Sequence, residues 1–363
     1  MRTCKRCLIP VAVPGTQIDS DGVCNLCKYQ EHRDLDGDEQ LRQEREDDLE
    51  EALQSCRQGA SYDCVVPLSG GKDSIYLLYK LKREYQLKVL AFTTDINLPP
   101  IAWNNIRTAL RKLDIDHVVY RPSSDFYAKL FRYLLKNQEE RGAVYTISYV
   151  YAPLFEGDAI RLAAEKEIPL VLAGYSPGQP DPERMEYEFS RTLIEKVTWV
   201  PPQLERSGEF SRDELERFFD PRRFPSNTEF PRYLAPFHAW KYAQDDVMDA
   251  VVRLGLIRSH KNASPVFSNY PINWLLMYSD LKNLGYNPYL PEFSALIREG
   301  KASRDYWRIM VPIVNTMIRH RILLGRDVTR SLKWLGLSTH DLRITMARGA
   351  YDPEIIGSAE GCK

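Results

Sequence analysis

The chain has 363 residues, 44% hydrophobic and 27% charged, which is length enough for two or more domains and an ordinary composition for a globular protein. Its formal net charge of −1 excludes a global basic surface, so any surface for nucleic acid would have to be local. No apolar run approaches the roughly 18 residues that span a membrane, and no apolar signal core follows Met1–Cys7, so a cytoplasmic protein is expected.

The first element is a cysteine module. Cys4, Cys7, Cys24 and Cys27 form two C-x2-C pairs sixteen residues apart, a spacing seen in zinc sites. Pro10, Pro14, Gly15 and Gly22 between them predict loops or short hairpins. A piece this small has too little core to fold without a cross-link. A cytoplasmic setting disfavours disulfides, so zinc is expected, with an iron–sulfur cluster as the alternative. Four thiolates leave no open position on the ion, which points to a structural role. Cys56, Cys64 and Cys362 stand alone, and Cys64 is expected to fill a strand position as a small apolar group. The module takes residues 1–33. Asp34–Glu51 then carries ten acidic residues and two arginines around a thin stripe of Leu41, Leu49 and Leu53, which predicts a solvated linker helix within 34–58.

Residues 59–198 alternate in period. Strands are expected at Asp63–Leu68, Lys88–Thr93, His117–Tyr120 and Pro169–Ala173. Helices are expected at Ser74–Tyr85, Ile101–Leu113, Phe126–Lys136 and Leu154–Glu165. This alternation predicts an α/β fold, a doubly wound parallel sheet whose ligands bind at one edge, in the loops after the strands. Trp199–Phe237 holds six prolines and predicts an insertion or lid over residues 199–240. A mainly helical C-terminal region, 241–363, follows, with helices at Gln244–Leu254, Ile272–Leu284, Arg304–Leu323, Asp327–Leu335 and Thr339–Ala347.

The chemistry concentrates after the first strand, in Ser69-Gly70-Gly71-Lys72-Asp73-Ser74. Glycines allow close backbone approach, and turned N–H groups with a helix N-terminus attract phosphate. Lys72 adds a full charge, Ser69 and Ser74 can donate hydrogen bonds, and Asp73 can hold Mg²⁺. The spacing is not that of the G-x4-G-K-[ST] loop. Thr94 and Asp95 follow the second strand at the expected ligand edge, where Asp95 is equally open to a ligand contact or to a turn or cap role. Gly174-Tyr175-Ser176-Pro177-Gly178-Gln179, after the fourth strand, reads as a second ligand loop. Arg258-Ser259-His260-Lys261-Asn262 reads as a solvated loop or as a grip for an anion, and Ser268-Asn269 as a cap or a substrate contact.

The loop 69–74 resembles the PP-loop of the N-type ATP pyrophosphatases. Cys4-Lys-Arg-Cys7, Gly22-Val-Cys-Asn-Leu-Cys27, Tyr62–Ser74 and Ile297-Arg-Glu-Gly-Lys-Ala-Ser-Arg304 occur together in an order similar to that of the N-acetyl sugar amidotransferases within that superfamily. The resemblance implies an enzyme that activates a carbonyl or carboxyl oxygen as an acyl- or imidoyl-AMP for attack by ammonia. It implies ATP, Mg²⁺ and Zn²⁺, a nucleotide-linked sugar substrate and a glutaminase partner supplying ammonia. It makes Lys72 and Asp73 catalytic, and Ser69, Gly70, Gly71, Lys72, Asp73, Ser74, Thr94, Asp95, Gly174 and Tyr175 nucleotide-binding. The tyrosine-rich stretch Asn137–Phe155 departs from the family by lacking cysteine. Two rival readings follow. One is a PP-loop sulfur transferase acting on a small molecule or tRNA, disfavoured by the absence of cysteines on the ligand-edge loops. The other is a non-catalytic nucleotide-binding partner.

Overall fold

The structure is a computed structural model, which describes residues 2–32, 35–57, 61–177, 185–268, 270–352 and 354–355. Five strands form one parallel sheet: β1 (Cys64–Pro67), β2 (Val89–Thr94), β3 (Asp116–Tyr120), β4 (Leu170–Leu172) and β5 (Arg232–Leu234). Their spatial order is β3-β2-β1-β4-β5, every pair parallel. The order reverses between β1 and β4, which opens a crevice beyond their carboxyl ends.

Alternation along the strands divides the core. Cys64, Val66, Val89, Ala91, Leu170 and Leu172 face one layer, built with helices α1 (Leu35–Ser55), α2 (Lys72–Tyr79), α3 (Pro100–Leu113) and α6 (Gln244–Arg253). Val65, Leu90, Phe92 and Val171 face the other, against Ala159, Ile160 and Ala163 of α5 (Ala143–Glu165). Both faces are covered, as in the doubly wound parallel sheet expected. Cys64 is fully buried in a strand, and Leu49 and Leu53 seat the otherwise acidic α1.

A second core is helical. It joins α4 (Ser124–Lys136), the first half of α5, α7 (Ile272–Asn283), α9 (Arg304–His320) and α10 (Arg326–Leu335) around Leu130, Val150, Leu275, Ile318 and Leu335. Helix α5 therefore belongs to both cores. The tyrosine-rich stretch before Leu154, expected to lie outside the helix, is its first half. Pro153 inside the helix is the breaker signal that hid this continuity.

Other expectations need correction. The helix expected at Ser74–Tyr85 begins at Lys72, and from Lys80 to Glu84 it widens into a π turn. The helix expected at Arg304–Leu323 stops at His320, with Arg321 left-handed at its end. Thr339–Ala347 is not a helix. Asp341 accepts from Ser338 N at 2.8 Å and Ser338 Oγ at 2.6 Å, and Ile344–Met346 pairs with Gln138–Glu139. The Pro-rich stretch 199–240, expected as an insertion or lid, contributes β5 to the sheet. No helix among the described residues is long and apolar enough to cross a membrane.

Asp280, fully buried on α7, caps α5 by accepting the Ala143 N–H and, at 3.0 Å, the Val144 N–H. Burial pushes its carboxyl up from the ordinary 3.8 to about 7, with those amides pulling down. A carboxyl whose pKa is higher folded than unfolded contributes stability that is present below pH 3.8 and lost as pH rises through about 7. We therefore expect wild-type stability to fall between about pH 4 and 7, and Asp280→Asn to flatten that fall. Urea midpoints measured across this range test it, and parallel curves would exclude Asp280 as the titrating group.

Candidate active site

Loop 69–74 sits where β1 meets the amino end of α2, in the crevice made by the reversal of strand order. Gly70 has φ +79°, and a Cβ there would lie 2.6 Å from the Ala102 carbonyl oxygen, so only glycine fits. Gly71 is extended and open: a Cβ on it would meet only Ser69 Oγ, at 3.5 Å. Ser69 Oγ and Ser74 Oγ lie 3.3 Å apart, and Ser74 Oγ donates to the Gly71 carbonyl at 3.1 Å. The second loop presses against the first. A Cβ on Gly174 would stand 2.8 Å from the Ser74 nitrogen and 2.9 Å from its Cα. Gly174→Ala must push these backbones apart, and we expect a loss of about 1–3 kcal/mol of stability. Thermal melts of wild type and variant test this, and an unchanged melt would show that the loops are not held this tightly.

A cavity of about 200 Å³ lies over this junction, lined by Ser69, Gly71, Asp73, Ser74, Thr94, Gly174 and Tyr175 among others. It shares Tyr151, Phe155, Tyr175 and Tyr270 with a larger cavity of about 1140 Å³ that runs between the sheet edge, α5 and the C-terminal helices. Thr94 is buried, and its Oγ1 has no hydrogen-bond partner among the described residues, an unsatisfied donor at the cavity wall. Asp95 is different: Oδ1 accepts from the Asn97 and Leu98 amides at 3.1 and 3.0 Å, and Oδ2 meets Arg121 Nε at 2.9 Å. Its carboxylate holds the turn, the second of the two roles open to it in the sequence, and it does not line the cavity. Gly178, Gln179, Asn269 and Cys362 lie outside the described residues.

Lys72 and Asp73 form the charged centre. Lys72 Nζ lies 2.6 Å from Asp73 Oδ2 and donates to Tyr242 Oη at 3.1 Å; Tyr242 Oη donates to Asp73 Oδ1 at 2.9 Å. All three are buried or nearly so, which strengthens the ion pair relative to one in water. Asp73 separates the loop cavity from a further cavity of about 170 Å³ that Lys72, Asn273, Trp274 and Glu292 of α8 (Leu290–Arg298) line. Burial pushes the Glu292 carboxyl up to about 8, while Lys72 draws it down and Asp73 raises it. A carboxyl poised there can hold or release a proton near neutral pH.

Sequence reasoning missed Tyr242, Glu292 and Asn105. Asn105 is buried, and its Nδ2 donates to the Gly70 carbonyl at 3.1 Å and to the Asn262 carbonyl at 3.0 Å, bracing the loop from behind. A local signal marks it: an asparagine on the face that Ala102, Ile106 and Ala109 bury. Tyr242 and Glu292 had none, since each is far along the chain from residue 73.

The four cysteines of the N-terminal module converge, with all sulfur atoms within 4.8 Å of one another. Cys4 Sγ and Cys27 Sγ are 3.8 Å apart, and Cys7 Sγ and Cys24 Sγ 3.6 Å. A tetrahedral ion with bonds of about 2.3 Å sets its ligands about 3.8 Å apart, so the donor set fits one zinc ion. A cluster that gives each thiolate its own iron holds the sulfurs wider. Amides supply the sulfur hydrogen bonds, Cys24 N to Cys4 Sγ and Cys27 N to Cys24 Sγ, both at 3.3 Å. The stretch Ile297–Arg304 docks here: Ile297 packs on the cysteines, Arg298 Nη1 donates to Cys7 Sγ at 3.5 Å, and Arg304 grips the Lys5 carbonyl at 2.6 and 2.9 Å.

No protein-family model matches the chain, and no curated protein sequence matches it. Among solved structures it is similar to the U34-tRNA thiolase NcsA from Methanococcus maripaludis with its [4Fe-4S] cluster, at 13% identity and TM-score 0.34 over 92% of this chain and 89% of that one. It is similar to an NMN synthetase from Francisella tularensis at 12% identity and TM-score 0.34, over 82% of this chain and 97% of that one. It is also similar to an NH3-dependent NAD synthetase from Campylobacter jejuni subsp. jejuni at 13% identity and TM-score 0.35, over 83% and 97%.

Proposed function

We propose that the chain is an ATP pyrophosphatase of the PP-loop type, which activates a carbonyl or carboxyl oxygen with AMP, releases pyrophosphate and lets ammonia displace the AMP. The observation that carries this reading is the junction itself. A serine- and glycine-lined loop at a helix N-terminus faces a second glycine loop across the point where strand order reverses, and Thr94 offers an unsatisfied hydroxyl beside it. Ser69, Gly71 and Ser74 would bind the phosphate chain. Asp73 would hold Mg²⁺, which supplies charge neutralisation for the leaving pyrophosphate. Lys72, now paired with Asp73 and Tyr242, would serve the same charge. Gly174 and Tyr175 would shape the opposite wall, and the larger cavity would admit the acceptor, a nucleotide-linked N-acetyl sugar in the family the sequence resembles.

Cys4, Cys7, Cys24 and Cys27 would hold Zn²⁺ as a structural ion. Ammonia is favoured over sulfur because Cys56 and Cys64 are buried in the core, leaving no thiol on the ligand edge among the described residues. A separate glutaminase would then supply ammonia. Purified protein incubated with ATP, Mg²⁺ and nucleotide-linked N-acetyl sugars is expected to form AMP and pyrophosphate in equal amounts, with ammonia and not sulfide completing the turnover. ADP as the nucleotide product would refute the reading, and completion by sulfide alone would move it to sulfur transfer.

A further inference from the structure

A second basic feature lies outside the crevice. The segment Arg258–Asn262 is not a plain loop: Ser259 caps a short turn of helix, His260–Ala263, and this turn packs against α3. Between the two is a cleft of about 310 Å³ lined by Asn104, Asn105, Arg107, Thr108, Arg111, Arg258 and Asn262. Asn104, Arg107, Thr108 and Arg111 share one face of α3 at i, i+3 and i+4 spacing. Arg258 and Asn262 close the cleft from the other side.

No carboxylate lines this space, and none of the three guanidinium groups pairs with one among the described residues. Arg107 lies 5.8 Å from the Trp103 ring and Arg111 one helical turn on. Like charges at that spacing destabilise a helix, and a third arginine across the cleft adds to the repulsion. The large cavity of the crevice makes the contrast, since its Arg42, Arg45 and Lys301 all carry carboxylate partners. Three unpaired guanidiniums around one concavity, with the side-chain amides of Asn104 and Asn262 beside them, are a donor set for a phosphate-bearing anion. Asn105 lies in the same wall and ties it to the Gly70 carbonyl.

We propose that this cleft binds a small phosphate-bearing anion at a site separate from loop 69–74. A small ligand is favoured over a nucleic-acid strand because the basic patch is local, with Asp245, Asp246 and Asp249 on neighbouring α6. The test is calorimetric titration of the full chain with inorganic pyrophosphate at fixed ionic strength. Wild type is expected to bind two equivalents if the loop also binds pyrophosphate and one if it does not. In either case R107A/R111A/R258A is expected to lose one equivalent, which separates this site from the fate of the loop. R258A alone, an exposed change, is expected to weaken that equivalent about tenfold and covers the case in which the triple variant fails to fold. Full retention of stoichiometry and affinity in both variants overturns the proposal. Arginine-dependent binding of a single-stranded RNA, with every pyrophosphate equivalent kept, overturns it in favour of a nucleic-acid surface.

Discussion

Lys72→Ala is expected to reduce the formation of AMP and pyrophosphate about a hundredfold to a thousandfold, the range for removing one preorganised charge from a transition state. The lysine is 5% exposed and touches Asp73 and Tyr242, so its removal also leaves Asp73 with only the tyrosine hydroxyl. In the proposed reaction the loss should fall on turnover more than on ATP affinity, because the charge the lysine would meet develops as pyrophosphate leaves. Tyr242→Phe separates the roles: it keeps the lysine and removes its neutral partner, so a smaller loss is expected. Steady-state assays that follow AMP and pyrophosphate distinguish these outcomes. Turnover unchanged in Lys72→Ala would remove the lysine from the chemistry and with it the proposed reaction.

Cys24→Ser is expected to release one equivalent of zinc and unfold the N-terminal module. The module's own apolar contacts are few beyond the cysteines, with Ile9 the only other buried hydrophobic residue in its cluster among the described residues. Metal binding and folding are therefore one equilibrium. The loss should spread, because Arg298 at the end of α8 and Arg304 at the start of α9 reach back to Cys7 and Lys5. Glu299 and Lys301, between those two arginines, line the large cavity. We therefore expect the variant to lose thermal stability and to weaken acceptor binding while its loop 69–74 remains intact. Metal analysis and melting of wild type and variant check the first part. Zinc at full occupancy in Cys24→Ser, or iron in the wild-type protein, would overturn the assignment.

Local signals carried far in the central sheet. The apolar runs around Cys64–Pro67 and Val89–Thr94, each followed by a glycine or polar loop, and the C-x2-C spacing are short-range patterns, and both strands and the cysteine cluster lie where those patterns put them, while the helix after loop 69–74 starts two residues earlier. Short-range rules also misled. Pro153 reads as a helix end, yet packing on both sides outweighs it, and Asp280 on α7, 137 residues from Ala143, caps the helix start. Arg232–Leu234 is too short and too close to Pro231 to announce a strand, and its identity comes from pairing with Leu170–Leu172.

The sequence by itself determined the chemistry at hand: which glycines could admit a phosphate, which thiolates could share an ion, and which runs must bury one face. Those follow from residue type and spacing within a few turns of backbone. Only the tertiary structure decided that Tyr242 and Glu292 stand beside Lys72, that Asp95 serves its turn, that Arg298 guards the cysteines and that Arg258 faces Arg107. Such pairings depend on crossover connections and helix docking, whose energies are summed over contacts from distant parts of the chain and leave no periodic mark in any one stretch.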